Sequence, residues 1–382
     1  MISSKNAESL KRNVLVIYPF SQTYLPEFEA FNMFDDFVAF NLTDSLDIVG
    51  KLKEDHFKIR PNKITLPLGD FLSYKFGVLN GLHSLIEQFN PVAVITFELY
   101  STLSYQVTKL NKKSDFKHVV VCYDTIPKGE ALWGAFPPTI YFSREVIENS
   151  YCIVALSKRI REALISSGVR EGKVRMNYPG VHSFAIRVNP PEKKDGDSLN
   201  LLYLGRLREN KGIRTLISAF KRIRSEGCEN ISLTIAGDGP MMEFVQKSSN
   251  EIAGINYVGN VIGERKWKLF SESDVFIYPS EDQYSILGRK RWEEQTAAAV
   301  REAMASGLPV IVSDSGSLSE LVGRKEQVIS QGDVPGLHDK ILQYHNSSSL
   351  REELAKYNLK RSIELFDMKS FSRFIESAIK GE

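Results

Sequence analysis

Cysteine is scarce. Cys122, Cys152 and Cys228 are the only three in 382 residues, with 30 or more positions between neighbours and no Cys-x-x-Cys pair. A disulfide framework and a structural zinc site are unreadable in that pattern, and a reducing compartment is the expectation. Long apolar runs are missing too. No segment approaches the roughly 18 consecutive apolar residues of a membrane-spanning helix. Charge does precede the apolar run Val14–Tyr18. That run is shorter than the about 7–15 residues of a signal-peptide core, so it reads as a buried strand. Net charge is nearly absent, with 49 Lys and Arg against 47 Asp and Glu, a balance of +2. A global basic field is lacking, and nucleic acid is not an expected partner. No GxxxxGK(S/T) phosphate loop, GxSxG elbow or HExxH helix occurs, and the six histidines have no ligand spacing. Neither a metal ion nor a resident cofactor is expected, and the chain reads as soluble and cytoplasmic.

What is present is a globular composition, 42% hydrophobic and 25% charged, in a chain too long for one ordinary domain. Nearly continuous β-branched runs stand at NVLVIY, 91–97, 118–123 and 151–157, then at 199–205, 231–237, 255–259, 274–280 and 308–314. Such runs suit strands buried on both faces of a parallel sheet. Helical patterns separate them, as in 213–227, where Leu216, Ile217, Phe220 and Ile223 recur at helical spacing. The alternation predicts an α/β protein with doubly wound sheets. The stretch RVNPPEKKDGDS at 187–198 has two prolines and little to bury, which makes it the expected boundary. The predicted organisation is a Rossmann-like domain over 1–190, a hinge at 191–198, a second such domain over 199–355 and a helical segment over 356–382.

Two segments carry chemistry. In YLGRLRENKGIRTLISAF a strand ends at Gly205, Arg206 and Lys211 follow in a loop, and a helix begins near Gly212. Cations beside free N–H groups at a helix N-terminus form an anion site, although two solvated surface cations are the plainer alternative. In WEEQTAAAVREAMASGLPVIVSDSGSLSELVG, Glu294 and Glu302 stand eight apart, with a helix predicted from Thr296 to Ser306. A carboxylate accepts two hydroxyls at once and suits a ribose or sugar diol. Read alone, Glu302 in an alanine-rich helix is more often a solvated residue. The turn AGDGP at 236–240 has Met242 at the third fingerprint position, so it reads as a tight turn and not a dinucleotide loop.

Together, in this order, the two segments resemble the retaining glycosyltransferases of family 4, which have the two-Rossmann-domain GT-B fold. The pattern G-R-(L/F)-x3-K-G falls on Gly205, Arg206, Leu207, Lys211 and Gly212. The Glu-x7-Glu pattern with A-M-A-x-G-x-P-V-I falls on Glu294, Glu302, Ala303, Met304, Ala305, Gly307, Pro309, Val310 and Ile311. Matching segments at 236–240, 258–259 and 274–280 extend the likeness over most of 200–325, while the N-terminal half matches more loosely.

The resemblance implies two domains facing a central cleft, with a C-terminal helix crossing back to the N-terminal domain. Arg206 and Lys211 would neutralise the diphosphate of a nucleotide-sugar donor, aided by backbone amides of Ala297 and Ala298. Glu302 would take the ribose hydroxyls, Glu294 would face the donor sugar, and Gly205, Gly259 and Val261 would complete the nucleotide site. Glu98, Tyr100, Tyr123 and Asp124 would lie on the acceptor side. The implied activity is metal-independent, retaining transfer of a hexose-type sugar from a UDP or GDP donor to a saccharide, lipid-linked or small-molecule acceptor. Departures from the family pattern sit at Tyr123, Thr296, the loop 18–26 and Tyr178–His182, and they bear on sugar and acceptor identity. A nucleotide-sugar epimerase of the same fold and a non-catalytic nucleotide-sugar-binding subunit remain alternatives. Lys109, Lys112, Lys113 and Lys117, beside the aromatic segment 131–142, are a candidate peripheral contact with an anionic membrane.

Overall fold

A computed structural model describes residues 12–17, 27–42, 62–64, 78–126, 137–182, 185–186 and 198–382. The predicted hinge, apart from Ser198, the loop 18–26 and half of the aromatic segment (131–136) lie outside the described residues. The chain divides into two compact units, Met1–Tyr178 with Met368–Glu382, and Pro179–Asp367.

In the first unit six strands form one all-parallel sheet: β1 (Arg12–Ile17), β2 (Phe37–Leu42), β5 (Ala93–Phe97), β6 (Lys117–Cys122), β7 (Cys152–Ala155) and β8 (Val174–Met176), in the order β2-β1-β5-β6-β7-β8. A short antiparallel pair, β3 (Asn62–Ile64) with β4 (Val78–Asn80), stands apart. The apolar run at β1 has a direct cause. Val14 and Val16 enter one core with Phe31, Ile95 and Phe97, whereas Leu15 and Ile17 enter another with Leu85, Val94 and Leu103. A strand covered on both faces has no polar side to show.

The helix Met368–Lys380 packs on the first of these cores through Met368, Phe371, Ile375, Ala378 and Ile379. Their spacing of three and four residues lays one stripe along the helix. Thus the C-terminal helix does return to the N-terminal unit. The helical segment expected over 356–382 falls on two helices, Ser348–Leu365 and Met368–Lys380. The break comes where Val181 N–H bonds the Phe366 carbonyl at 2.9 Å and Val181 pairs with Asp367.

The second unit holds β9 (Leu199–Leu204), β10 (Ile231–Ala236), β11 (Ile255–Tyr257), β12 (Val275–Tyr278), β15 (Val310–Ser313) and β16 (Val328–Ile329) in the parallel order β11-β10-β9-β12-β15-β16. Counted along the chain within this sheet, the order is 3-2-1-4-5-6, the doubly wound arrangement. The direction of winding reverses between β9 and β12. Ligands of such sheets bind outside the carboxyl ends of the strands at that reversal. The nineteen residues between β12 and the helix Ala298–Ala305 include a small hairpin, β13 (Gln283–Tyr284) with β14 (Lys290–Trp292).

Candidate functional site

The residues at the winding reversal of the second sheet are those at the ends of β9 and β12. β9 runs into Gly205, and a single turn at Glu209–Lys211 leads to the helix Ile213–Ser225, capped by Gly212 at φ +66°. A Cβ at Gly212 would stand 1.8 Å from the Pro279 carbonyl oxygen. Only glycine allows this loop to close against the segment that follows β12. Arg206 is exposed to solvent, but Lys211 is not a solvated surface cation. Its Nζ lies 2.6 Å from Glu294 Oε2, and the side chains of the pair are 13% and 7% exposed. The ammonium also faces the rings of Trp292 at 4.5 Å and Tyr278 at 5.3 Å.

Glu294 is held from several sides. Ser280, just past β12, donates its hydroxyl to the same Oε2 at 2.7 Å. The Glu294 N–H donates to Ser315 Oγ at 3.1 Å, and Ser315 donates to Asp282 Oδ1 at 2.6 Å. Lys290 in turn bridges Asp282 at 2.8 Å and Glu293 at 2.7 Å. Burial works against the Lys290 ammonium, yet the two carboxylates outweigh it and hold its pKa above the usual value. On the far side the Glu294 carbonyl accepts the Ser317 N–H at 3.0 Å. Gly316 permits that approach, since a Cβ there would lie 1.8 Å from the same carbonyl oxygen. Beneath the site Tyr203 and Tyr278 stack at 5.9 Å. Burial and, for Tyr278, the adjacent Glu294 charge push the two phenols well above their ordinary pKa.

The glutamate helix starts later than its sequence predicts. It spans Ala298–Ala305, with Ala297 at φ +28° ahead of it. The reason is Arg301, which takes the Thr296 carbonyl at 2.9 Å and those of Pro179 and Gly180 at 2.6 and 2.7 Å. A carbonyl so engaged is turned away from the helix ladder, and the helix begins beyond it. The first-turn N–H groups of Ala298 and Ala299 have no carbonyl within the helix to bond. Glu302 lies on the second turn and is buried, not solvated. Its Oε1 accepts Lys266 Nζ at 2.7 Å. Gly259 and Val261 lie in the turn after β11, where the Gly259 carbonyl accepts the Gly237 N–H at 2.8 Å.

The structure therefore gathers Gly205, Lys211 and Glu294 near the winding reversal, with Glu302 and the Ala297–Ala298 backbone on the adjoining helix. Sequence reasoning did not single out Ser280, Trp292, Ser315, Lys266 or Arg301. Ser280 and Arg301 fall inside matched segments; Trp292 and Lys266 have no local signal, because their partners are remote in sequence.

In the first unit Glu98, Tyr100, Tyr123 and Asp124, the residues the resemblance assigns to the acceptor, also converge, at the carboxyl ends of β5 and β6. Tyr100 donates to Asp124 Oδ2 at 2.6 Å, and the Tyr123 N–H donates to Glu98 Oε1 at 2.8 Å. Glu98 is buried with φ +66°, a conformation that costs on the order of 1–3 kcal/mol and is held by its surroundings. The lysine cluster is less open than its sequence suggests. Lys109 and Lys112 both pair with Glu145 at 2.9 Å. Lys117 donates to the Ile379 and Lys380 carbonyls, which leaves Lys113 as an exposed cation. Among the described residues no group of three or more His, Cys, Asp or Glu is placed to hold a metal ion, and no helix is long and apolar enough to cross a membrane.

Residues 187–361 match the family described as "Glycosyl transferases group 1". An uncharacterised glycosyltransferase of Methanocaldococcus jannaschii is 30% identical over 184 residues, 44% of this chain and 44% of that protein. The O-antigen chain mannosyltransferase B of Escherichia coli is 30% identical over 156 residues, 40% of this chain and 38% of that one. The matched stretches thus span less than half the length of these relatives. Among solved structures, a sucrose-phosphate synthase from Thermosynechococcus elongatus superposes with a TM-score of 0.69 at 16% identity, covering 97% of this chain and 98% of its own. The likeness extends over both units and shows a common fold.

Proposed function

We propose, from the premise that residues 187–361 belong to the group 1 glycosyl transferases on a GT-B fold, that the chain is a retaining glycosyltransferase. It moves a hexose-type sugar from a UDP or GDP donor to a saccharide, lipid-linked or small-molecule acceptor. The observation that carries this reading is the buried Lys211–Glu294 pair beside the winding reversal of the second sheet. A cation and a carboxylate held together there match a donor whose diphosphate and sugar hydroxyls are neighbours. The mannosyltransferase relative favours a hexose.

In this reading Arg206 and Lys211 take up charge as the diphosphate leaves, assisted by the first-turn amides of the helix Ala298–Ala305. Lys211 is held by Glu294, and an incoming phosphate shares it. Glu294 then turns to the hydroxyls of the donor sugar, while Glu302 takes the ribose. The bond from the anomeric carbon to the phosphate oxygen breaks, and a bond to the acceptor oxygen forms on the same face. The acceptor proton passes to the departing phosphate oxygen, so no protein nucleophile enters the balance. Cation charge from the two basic residues removes the need for a metal, and turnover is expected to survive EDTA. Glu98, Tyr100, Tyr123 and Asp124 are the proposed acceptor contacts.

The experiment is direct. Purified protein is screened for thermal stabilisation by UDP, GDP and ADP, then for nucleotide release from the matching nucleotide sugars with acceptor present. The anomeric configuration of the product is read by NMR. Release with retained configuration supports transfer. Epimerised sugar without free nucleotide supports the epimerase, and binding without turnover supports a binding subunit.

A further inference from the structure

Glu302 stands in a helix whose residues from Val300 to Ala305 are all buried, although a glutamate facing water is the ordinary outcome on a helix. Instead its side chain is 6% exposed, and its Oε1 is 2.7 Å from Lys266 Nζ. A carboxylate this buried is tolerated only when paired, so the helix has been given both a buried charge and a dedicated partner. That partner is 36 residues away on a different element. Lys266 lies in the first turn of the helix Glu264–Glu272, directly after the turn that carries Gly259 and Val261. Its N–H bonds the Gly263 carbonyl at 3.1 Å, and its ammonium sits 4.4 Å from the centre of the Trp267 ring. Trp267 packs on the buried Phe270, which packs on Phe276 of β12. The lysine is therefore anchored to the core of the sheet and is not a mobile surface side chain.

We infer that Lys266 is the positioning residue for Glu302: it fixes the carboxylate in the orientation that takes the two ribose hydroxyls of the nucleotide. The inference rests on the nucleotide-sugar reading given above and deepens it. With one carboxylate oxygen tied to the ammonium, rotation of the carboxylate is restricted. Acceptance of a cis-diol, which requires two oxygens held in one plane, then needs no ordering at the moment of binding. The same lysine joins the turn after β11, which carries Gly259 and Val261 of the proposed nucleotide site, to the helix proposed to meet the ribose. The two parts of that site are thereby held in fixed register.

The test is affinity of the full chain for UDP against 2′-deoxy-UDP, and for GDP against 2′-deoxy-GDP. The unaltered protein should prefer the ribonucleotide about tenfold, the scale of one well-made hydrogen bond to a charged group. Lys266→Met should weaken the ribonucleotide about tenfold, change the 2′-deoxy form less than twofold, and so bring the ratio near one. Lys266→Arg should restore part of the preference. Because Lys266→Met leaves Glu302 buried without its partner, Lys266→Met/Glu302→Gln is measured beside it, and its ratio should equal that of Glu302→Gln alone. Equal weakening of ribo and deoxy forms, or a preference that survives Lys266→Met, overturns the inference. If the unaltered chain binds neither nucleotide, the nucleotide-sugar reading itself falls and this inference falls with it. Discrimination that depends on Glu302 but not on Lys266 removes the inference alone.

Discussion

Lys211 Nζ and Glu294 Oε2 lie 2.6 Å apart across 83 residues of sequence, and the same oxygen takes the Ser280 hydroxyl. The pair joins the loop after β9 to the segment before the glutamate helix. It holds a cation at low exposure beside the winding reversal, where ligands of doubly wound sheets bind. Lys211→Ala is expected to weaken nucleotide-diphosphate binding by tenfold or more, since a charge-assisted contact contributes about 1.5–3 kcal/mol. Calorimetry on protein with an intact thermal transition measures it. Unchanged affinity would remove Lys211 from the site.

The two glutamates should separate in their effects. Glu302→Gln is expected to weaken free nucleotide, whereas Glu294→Gln should leave nucleotide affinity within about twofold and depress kcat. In the proposed reading only the latter faces the donor sugar, and contacts that strengthen in the transition state appear in turnover. Binding of free nucleotide beside steady-state kinetics of both variants resolves this, and the reverse pattern would exchange their roles.

Most of the fold was legible because the sheets are parallel. β1, β5, β6 and β7 of the first unit and β9, β10, β11, β12 and β15 of the second all fall on apolar runs read from the sequence, with only Arg12 of β1 and Lys117 of β6 outside them. The edge strands β8 and β16 were not legible, since three and two residues suffice to pair them and leave no run to read, and β2, an edge strand of six residues, was missed although Phe37–Phe40 are apolar. For the candidate site, Gly205, Lys211, Glu294 and Glu302 were singled out through the family pattern they resemble, not through composition or spacing alone. Trp292, Ser315 and Lys266 were not, because each acts on a residue 21 to 81 positions away through a contact that only the folded chain creates. The late start of the glutamate helix was hidden for the same reason: Arg301 reaches Pro179 and Gly180, 122 and 121 residues earlier.

Gly212→Ala should be among the most damaging single changes in the second unit. The added Cβ meets the Pro279 carbonyl oxygen at 1.8 Å, and φ +66° is costly for alanine. The clash involves backbone on both sides, so no side chain can swing away. A loss of several kcal/mol is expected, beyond the roughly 1 kcal/mol typical of point changes. Gly227→Ala, also at positive φ but with nothing within 4 Å, is the control and should cost far less in a urea unfolding series.

Thiol reactivity should single out one cysteine. Cys122 and Cys152 are buried in β6 and β7, and burial pushes both thiols up, Cys152 to about 11. The thiolate is the reactive form, so neither should react at neutral pH. Cys228, in the turn after the helix Ile213–Ser225, is partly exposed. Titration of native protein with a chromogenic disulfide should release one equivalent quickly and three after denaturation. Rapid release of more than one from native protein would contradict the packing of β6 and β7.

The last prediction concerns acid. His118, at the start of β6, is fully buried between two threonines, with Nε2 2.8 Å from Thr96 Oγ1 and Nδ1 3.2 Å from Thr108 Oγ1. Thr108 donates its own proton to the Ser104 carbonyl at 2.8 Å, so its oxygen is left to accept from His118 Nδ1–H. Burial, reinforced by the Lys173 charge, lowers the imidazole to about 3. Unfolding restores an ordinary value near 6.5. Between those limits the unfolded chain binds the extra proton, so stability is complete above about pH 6.5 and declines as pH falls toward about 3. The slope is about 1.4 kcal/mol per pH unit, which makes a loss of about 2 kcal/mol between pH 7 and 5. Most carboxylates titrate below this window. Denaturant unfolding of the first unit at pH 7.5, 6 and 5 measures the slope, and His118→Gln, which keeps hydrogen-bonding capacity without a titrating group, should flatten it. A slope that persists in the glutamine variant would assign the acid sensitivity to another group.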